Sequence, residues 1–336
     1  MRVLVTGGFG DVGKSVLAEL VSAGHTVRCL DVRNAATLLT AARLHGRGIE
    51  VVWGDVRCAD DVARAVADQE VVIHLAAVIP PRSEINPDWA RAVNVDGTRN
   101  LLRAMEASAT RPRLIHVSSL AVFGRSGERP PPRKATDAVR PFDHYTEHKV
   151  EGERLVRSSG VAWAILRLGA VVPIGWVGKD PRLMMREMFE VPLAQRIECV
   201  HARDVALALT NAVTCDRVLG RTLLIGGGPT CQVHVRELVT RVLDAMGVGA
   251  LPDEAFSTTP YHTDWLDTSE SQRLLDYQRH SFDDFVREIP RTLGPWRAVI
   301  RLARPLLRWL ILRQSPYLDK HRGNFHPRGT PLGHDG

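Results

Sequence analysis

The stretch Thr6-Gly7-Gly8-Phe9-Gly10-Asp11-Val12-Gly13 decides the fold. A β-branched run at residues 2–6 precedes it and a helical pattern at 13–23 follows it. Glycines at 7, 10 and 13 permit a tight turn, close approach of backbone to a pyrophosphate, and close helix–strand packing. The helix beyond them offers N–H groups and the positive end of a dipole to an anion. Working outward, short apolar runs at 26–32, 49–56, 71–77, 113–119 and 162–169 read as strands. Helical patterns at 59–68, 89–107 and 144–158 lie between them. Continuously apolar runs suit a parallel sheet covered on both faces. Strand–helix alternation makes βαβ units, so the expected class is α/β with a doubly wound parallel sheet.

Asp31 ends the second run, 18 residues beyond Gly13, where a ribose-binding carboxylate belongs in a Rossmann unit. A carboxylate accepts from the 2′-hydroxyl of NAD and repels the 2′-phosphate of NADP. Arg33 nearby softens that preference, which keeps NADP as the alternative cofactor. The competing reading is a cluster of turn glycines beside a surface aspartate.

After Gly169 the regularity weakens, with prolines, three methionines and mixed charge at 173–200. Further patterns at 204–213 and 235–246 read as helices, and 222–225 as a strand. The expected organisation is a dinucleotide-binding domain at 1–170 and a smaller substrate-binding cap at 171–295, interleaved with it. A basic amphipathic segment at 296–319 and a poorly ordered tail at 320–336 complete the chain. The 127–133 stretch reads as a loop.

The charge is uneven. The chain carries 44 basic and 38 acidic side chains, a net +6. Residues 296–336 hold eight basic and two acidic residues, so the first 295 are neutral. A basic tail, not a basic body, sets the high pI, and no nucleic-acid partner is expected. Five scattered cysteines show no CxxC spacing, which fits a reducing cytosol. The opening Met1-Arg2-Val3 lacks a signal-peptide layout, and no spanning run is present, so a cytoplasmic location is expected. His74, His116 and His201 lack paired ligand spacing, and no metal site is expected.

Tyr145 and Lys149 stand four apart on a predicted helix and share a face. An ammonium near a phenol favours the phenolate, which suits proton transfer beside a carbinol or ketone. Ser118 and Ser119 end the fifth run at its carboxyl edge, where ligands bind in doubly wound sheets. Either hydroxyl could hydrogen-bond a substrate oxygen. Taken alone, a Tyr-x-x-x-Lys pair is usually a surface coincidence; its place between the fifth and sixth runs gives it weight.

Over about residues 1–290 the chain resembles the extended short-chain dehydrogenase/reductase family, also called the NAD-dependent epimerase/dehydratase family. The resemblance rests on the glycine turn, Asp31, Gly54-Asp55-Val56, His74-Leu75-Ala76-Ala77 and Asn94-Val95-Asp96-Gly97-Thr98. It extends through Val117-Ser118-Ser119 to Val122-Phe123-Gly124, Tyr145 with Lys149, and Val200-His201-Ala202-Arg203-Asp204-Val205-Ala206. It implies that Asp55 and Val56 lie by the adenine and that Leu75, Ala76 and Ala77 line the cofactor cleft. It implies that Asn94 supports the active-site helix, and that Val117 and Leu168 also lie at the cofactor. It makes Ser119 the substrate-orienting hydroxyl, Tyr145 the acid/base, and Lys149 the ribose-binding partner that lowers the tyrosine pKa. A homodimer through helices near 89–107 and 145–158 is implied as well.

Three chemistries compete within the resemblance. Dehydratases of the family follow the catalytic hydroxyl with Asp-Glu, whereas Leu120-Ala121 follow Ser119 here. Nucleotide-sugar epimerases carry an Arg-x-x-Asn stretch, but this chain has Leu166-Arg167-Leu168-Gly169-Ala170, and Phe123 replaces the usual tyrosine. These departures favour hydride transfer between nicotinamide and a secondary alcohol or ketone, as in relatives acting on steroid-like or other apolar alcohols. Epimerisation with tightly bound NAD stays open, because it uses the same Ser-Tyr-Lys set. A non-catalytic NAD(P)-binding scaffold or sensor is the reading from another class, and the intact Tyr and Lys argue against it.

Arg182, Arg186 and Arg196 are candidates for an anionic substrate, with solvated charge as the competing role. Asp267-Thr268-Ser269-Glu270 reads as a capped helix start that closes the cap. In 296–313, Arg297, Arg301, Arg304 and Arg308 fall within a narrow arc among Leu, Ile, Val and Trp. Such a segment suits peripheral contact with an anionic membrane; the alternative is docking on the protein itself or a dimer partner. Pro305 predicts two short helices there.

Overall fold

The structure is a computed structural model describing residues 1–126, 130–172 and 181–318. The expectations for 127–129, 173–180 and the tail 320–336 lie outside those residues. In chain order the first elements are β1 (Arg2–Thr6), α1 (Asp11–Ser22), β2 (Thr26–Asp31), α2 (Ala35–Leu44), β3 (Ile49–Trp53), α3 (Ala59–Val66) and β4 (Val71–His74). Then come α4 (Arg82–Ile85), α5 (Pro87–Arg91), α6 (Gly97–Ala107), β5 (Arg113–Ser119), α7 (His144–Arg157) and β6 (Trp163–Leu168). The remainder comprises β7 (Ala170–Val172), α8 (Pro181–Glu190), β8 (Arg196–His201), α9 (Ala202–Thr214), β9 (Thr222–Ile225) and β10 (Gln232–His234). It ends with α10 (Val235–Met246), α11 (Ser269–Leu275), α12 (Phe282–Leu293), α13 (Trp296–Leu302) and α14 (Arg304–Leu312).

Seven strands form one parallel sheet in the order β3-β2-β1-β4-β5-β6-β9, and β10-β8-β7 form a small second sheet. The chain reverses its direction of travel across the sheet between β1 and β4, and ligands bind at the carboxyl ends beside such a switch point. Both faces of the sheet are covered. Val3 and Val5 of β1 pack into a cluster with Val16, Leu17 and Leu20 of α1 and Leu209 of α9. Leu4, between them, joins Val62 of α3 and Leu101 of α6 on the other face. Leu4 is fully buried, and shortening it to alanine would cost about 2–5 kcal/mol.

Three local features go beyond the sequence reading. At the start of α2, Asn34 and Thr37 make a reciprocal capping box, which fixes the helix N-terminus. The expected helix at 89–107 is α5 and α6 joined by a π-helical turn, Ala92–Asp96, which contains Asn94. Such widened turns are frequent at functional sites, and a 3.6-residue period does not reveal them. At the start of α11, Thr268 makes no side-chain cap; Asp267 Oδ1 accepts from the Ser269 N–H and hydroxyl instead.

The chain divides into two compact units. The first comprises Met1–Gly175, Arg196–Val233 and His262–Phe285 and holds both sheets. Much of the expected cap at 171–295 therefore belongs with the main sheet, which gains β9 from it. Residues 262–285, with α11, fall in this unit too, rather than in the smaller unit where the expectation of a cap places them. The second unit comprises Trp176–Gln195, His234–Tyr261 and Val286–Gly336. Inside it, Phe189 of α8 packs on Phe256 at 5.1 Å between ring centres, and the Ser257 N–H donates to the Phe189 carbonyl at 2.8 Å.

Candidate active site

The glycine turn lies between β1 and α1. Gly7 has φ +70°, and a Cβ there would sit 2.7 Å from the Ala76 Cα beyond β4. A Cβ on Gly13 would sit 2.5 Å from the Gly8 carbonyl oxygen. Only glycine fits either place, so the turn is pressed against both its helix and β4. Gly10 precedes α1 without a side chain to cap it. Asp11 is exposed, with Lys14 3.4 Å away. Gly8 is buried against Cys29, and Val12 packs partly on the core.

Asp31 closes the other side of the turn. Its Oδ2 accepts from the Phe9 N–H at 2.9 Å and its Oδ1 from the Val32 N–H at 2.8 Å. Burial raises its pKa, and those two backbone donors oppose the rise. The Phe9 ring leans on Trp53 at 5.6 Å between centres. Arg33 is exposed. The Asp55 carboxylate is engaged by Arg57 at 2.7 Å, which holds its pKa low, and Val56 is buried against Gly97. The fit to a dinucleotide is good on these observations. A turn that admits no Cβ faces a carboxylate with acceptor capacity beyond its two backbone donors.

A hydrogen-bond chain braces this edge. The Ala76 N–H donates to Thr6 Oγ1 at 3.3 Å, and Thr6 Oγ1 meets His74 Nδ1 at 2.7 Å. His74 Nε2 meets Thr98 Oγ1 at 3.0 Å, and Thr98 donates to the Asn94 carbonyl at 2.7 Å. Burial pushes His74 down to about 3, so the ring is neutral. With Thr98 donating onward, Nε2 carries the proton and Nδ1 accepts from Thr6. The Asn94 side chain accepts from the Val78 N–H at 2.7 Å and donates to the Val78 carbonyl at 2.9 Å. It thus secures the chain just beyond Leu75, Ala76 and Ala77.

Ser119, Tyr145 and Lys149 come together at the carboxyl edge of β5. Asp143 and Thr146 cap α7 reciprocally, and Glu84 accepts from the His144 and Tyr145 N–H groups at 3.2 and 3.1 Å. The Ser119 side chain comes close enough to the Tyr145 phenol to lower its pKa, and its Oγ accepts from the Ala121 N–H at 3.2 Å. Lys149 Nζ donates to the Val117 carbonyl at 2.9 Å and lies 5.8 Å from the centre of the Tyr145 ring. Leu168 is buried at the matching edge of β6.

The electrostatics differ from the sequence expectation. Burial pushes Tyr145 up to about 12, and the nearby Ser119 side chain opposes the rise. Burial also brings Lys149 down to about 8, opposed by the charge of Glu153. The expected lowering of the phenol by the lysine is absent from the protein alone, because the ammonium is directed to Val117 and desolvation dominates both groups.

Sequence reasoning missed Glu153. Its Oε1 accepts from Ser118 Oγ at 2.7 Å and Arg167 Nε at 2.8 Å. Its Oε2 accepts from Arg167 at 2.7 Å and Arg157 at 2.8 Å. Ser118 therefore faces this buried network and Ser119 faces Tyr145. The signal was available: Tyr145, Lys149 and Glu153 repeat at four-residue spacing along α7. Phe123 packs beneath Arg167, whose guanidinium lies 4.9 Å from the ring centre.

The substrate-anion candidates fare differently. Arg196 is paired with Asp264 at 2.6 Å, and Arg186 lies 3.9 Å from Glu190; the Arg182 side chain lies outside the described residues. Among the described residues, no cluster of three or more His, Cys, Asp or Glu could hold a metal.

The family model for NAD-dependent epimerases/dehydratases matches residues 3–226. A 3β-hydroxysteroid dehydrogenase/Δ5→4-isomerase of Mycobacterium tuberculosis is 33% identical over 320 residues, 92% of this chain and 74% of that protein. An Agrobacterium tumefaciens short-chain dehydrogenase/reductase superfamily protein solved with bound NAD superposes with a TM-score of 0.72. It is 22% identical, and the match covers 92% of this chain and all of that one. A Stenotrophomonas maltophila UDP-glucose 4-epimerase, also with bound NAD, gives 0.72 at 22% identity over 90% of this chain and 99% of that one. At such identities the two structures speak for the fold alone.

Proposed function

Because the chain belongs to the NAD-dependent epimerase/dehydratase family of enzymes, we propose that it transfers hydride between a nicotinamide and a secondary alcohol or ketone through Ser119, Tyr145 and Lys149. The observation that carries this reading is the convergence of Ser119 at the end of β5 with Tyr145 and, one turn along α7, Lys149, whose Nζ donates to the Val117 carbonyl and lies 5.8 Å from the Tyr145 ring centre. Ser119 orients the substrate oxygen. Tyr145 gives that oxygen a proton in reduction and takes one in oxidation. Lys149 holds the ribose and places positive charge beside the phenol. The glycine turn holds the pyrophosphate at the start of α1, and Asp31 accepts from the ribose. Bound NAD supplies or accepts the hydride.

The favoured substrate is an apolar hydroxyl or keto compound. The mycobacterial relative named for a hydroxysteroid supports this. So do the buried, apolar Leu120 and Ala121 after Ser119, which offer neither acid nor base for elimination. The same proposal includes NAD over NADP, a homodimer, a cytoplasmic location and peripheral membrane contact through 296–313. The test follows NADH absorbance with hydrophobic alcohols and sugar nucleotides in parallel, using Tyr145→Phe as control. NAD-linked turnover of a hydrophobic alcohol, lost in Tyr145→Phe with cofactor binding retained, is expected. Turnover that survives Tyr145→Phe would overturn the mechanism. Interconversion of sugar nucleotides with retained NAD would replace it by epimerisation.

A further inference from the structure

Helices α13 and α14 carry arginines on one side and large apolar side chains on another, and the arginines are directed onto the protein. Arg297 Nε donates to the Ala245 carbonyl at 2.7 Å, and Arg304 Nε to the Val248 carbonyl at 3.0 Å. The Ala245 carbonyl lies in the last turn of α10 and Val248 just beyond its end, where cations complement the helix dipole. Gly247 and Gly249 have φ of +95° and +80°, and Cβ atoms there would clash with the side chains of Arg301 and Arg304. The arginine side therefore packs on α10. This is the self-docking that the sequence left as one of two choices.

It leaves the other side uncovered. Trp296, Val299, Leu302, Leu306, Trp309 and Leu310 are 43–88% exposed, with Leu302 the most. A helix pair held only by its own protein would turn these residues inward. An apolar patch of this kind marks an interaction surface. Its surroundings identify the partner. Residues 289–318 contain six arginines and no aspartate or glutamate. Arg313 stacks on Trp309 at 4.7 Å, placing a cation beside the apolar face. A second copy would bring its own Arg313 near this one, whereas an anionic lipid surface complements it. Among the described residues no helix is long and apolar enough to cross a membrane.

We infer that this face lies in the headgroup region of an anionic phospholipid bilayer, with Leu302, Leu306 and Leu310 inserted and Arg313 at the phosphates. Arg297 and Arg304 take no part, because α10 holds them. The inference rests on the peripheral-membrane part of the reading above and is independent of its hydride chemistry.

The experiment is co-sedimentation of the full chain with vesicles of phosphatidylcholine alone and of phosphatidylcholine containing phosphatidylserine. Binding is expected to the anionic vesicles and to fall with salt. Leu302→Asp/Leu306→Asp should abolish it, with thermal unfolding and turnover of a water-soluble substrate unchanged. Arg313→Gln should weaken it by about fivefold. Vesicle binding that persists in the double leucine variant would overturn this face while leaving membrane contact standing. No binding to any vesicle would remove both. A double variant that converts a dimer to a monomer, without vesicle binding by the parent, would make the face a self-association surface and overturn the lipid assignment.

Discussion

Ser118 donates its hydroxyl to the buried carboxylate of Glu153 at 2.7 Å, so two adjacent serines of β5 meet different residues along one face of α7. Ser119 faces the Tyr145 hydroxyl. Ser118→Ala should therefore act on stability. It leaves Glu153 with its arginines but one donor short, a cost of about 1–3 kcal/mol. Ser119→Ala should leave unfolding unchanged and lower kcat by about a hundredfold, as expected for losing an oriented donor at the reacting oxygen. Denaturant unfolding and steady-state kinetics on both variants separate the roles; a larger kcat loss in Ser118→Ala would reverse them.

Asp31 accepts from the Phe9 and Val32 N–H groups, which leaves lone pairs for a ribose hydroxyl. Asp31→Asn keeps the shape and removes the charge. NAD affinity should fall about tenfold, the scale of one hydrogen bond to a charged group, while NADP affinity rises. Fluorescence titration with both cofactors measures the ratio. An unchanged ratio would show that Asp31 serves the turn and not the ribose.

Lys149 sits at about 8 because burial disfavours its charge. A lowered lysine loses its proton as pH rises through that value, so NAD affinity should decline above about pH 8. Lys149→Met should bind weakly with no such decline. Glu153 opposes the effect of burial, so Glu153→Gln, if thermal unfolding shows it folded, should move the decline to lower pH. Affinity that stays flat to pH 10 in the parent would argue against an ammonium at the ribose.

Glu198, fully buried on β8, accepts from the Leu266 N–H and Gln232 at 2.8 Å each and from the Gly228 N–H at 3.0 Å. Burial nonetheless pushes it up to about 7 from an ordinary 4.5. The folded state then holds a proton that the unfolded chain releases. Stability from this group is complete below pH 4.5 and is lost as pH rises to about 7, by ~3 kcal/mol. Glu198→Gln should remove that slope. Urea unfolding from pH 5 to 8 measures it, and equal slopes in parent and variant would refute the assignment.

Much of this was legible in the sequence because it is local. The Gly7-to-Gly13 turn, Asp31 at a strand end and Tyr145 four residues before Lys149 are fixed by strand and helix periods, and these periods show as residue spacings. The identity of the working serine was not legible. Ser118 and Ser119 differ only in which face of β5 they point from, and the partners deciding that, Glu153 and Tyr145, come from a later helix. The phenol's pKa was not legible for a related reason: spacing brings Lys149 near Tyr145, but burial and the Val117 carbonyl decide the electrostatics. In the tail, composition gave the arginines and Pro305 gave the break between two helices. Only the tertiary packing showed that the left-handed glycines after α10 receive Arg301 and Arg304, turning the apolar side outward. Spacing along the chain determines what can share a face, and the surfaces that meet across the fold determine which face is used.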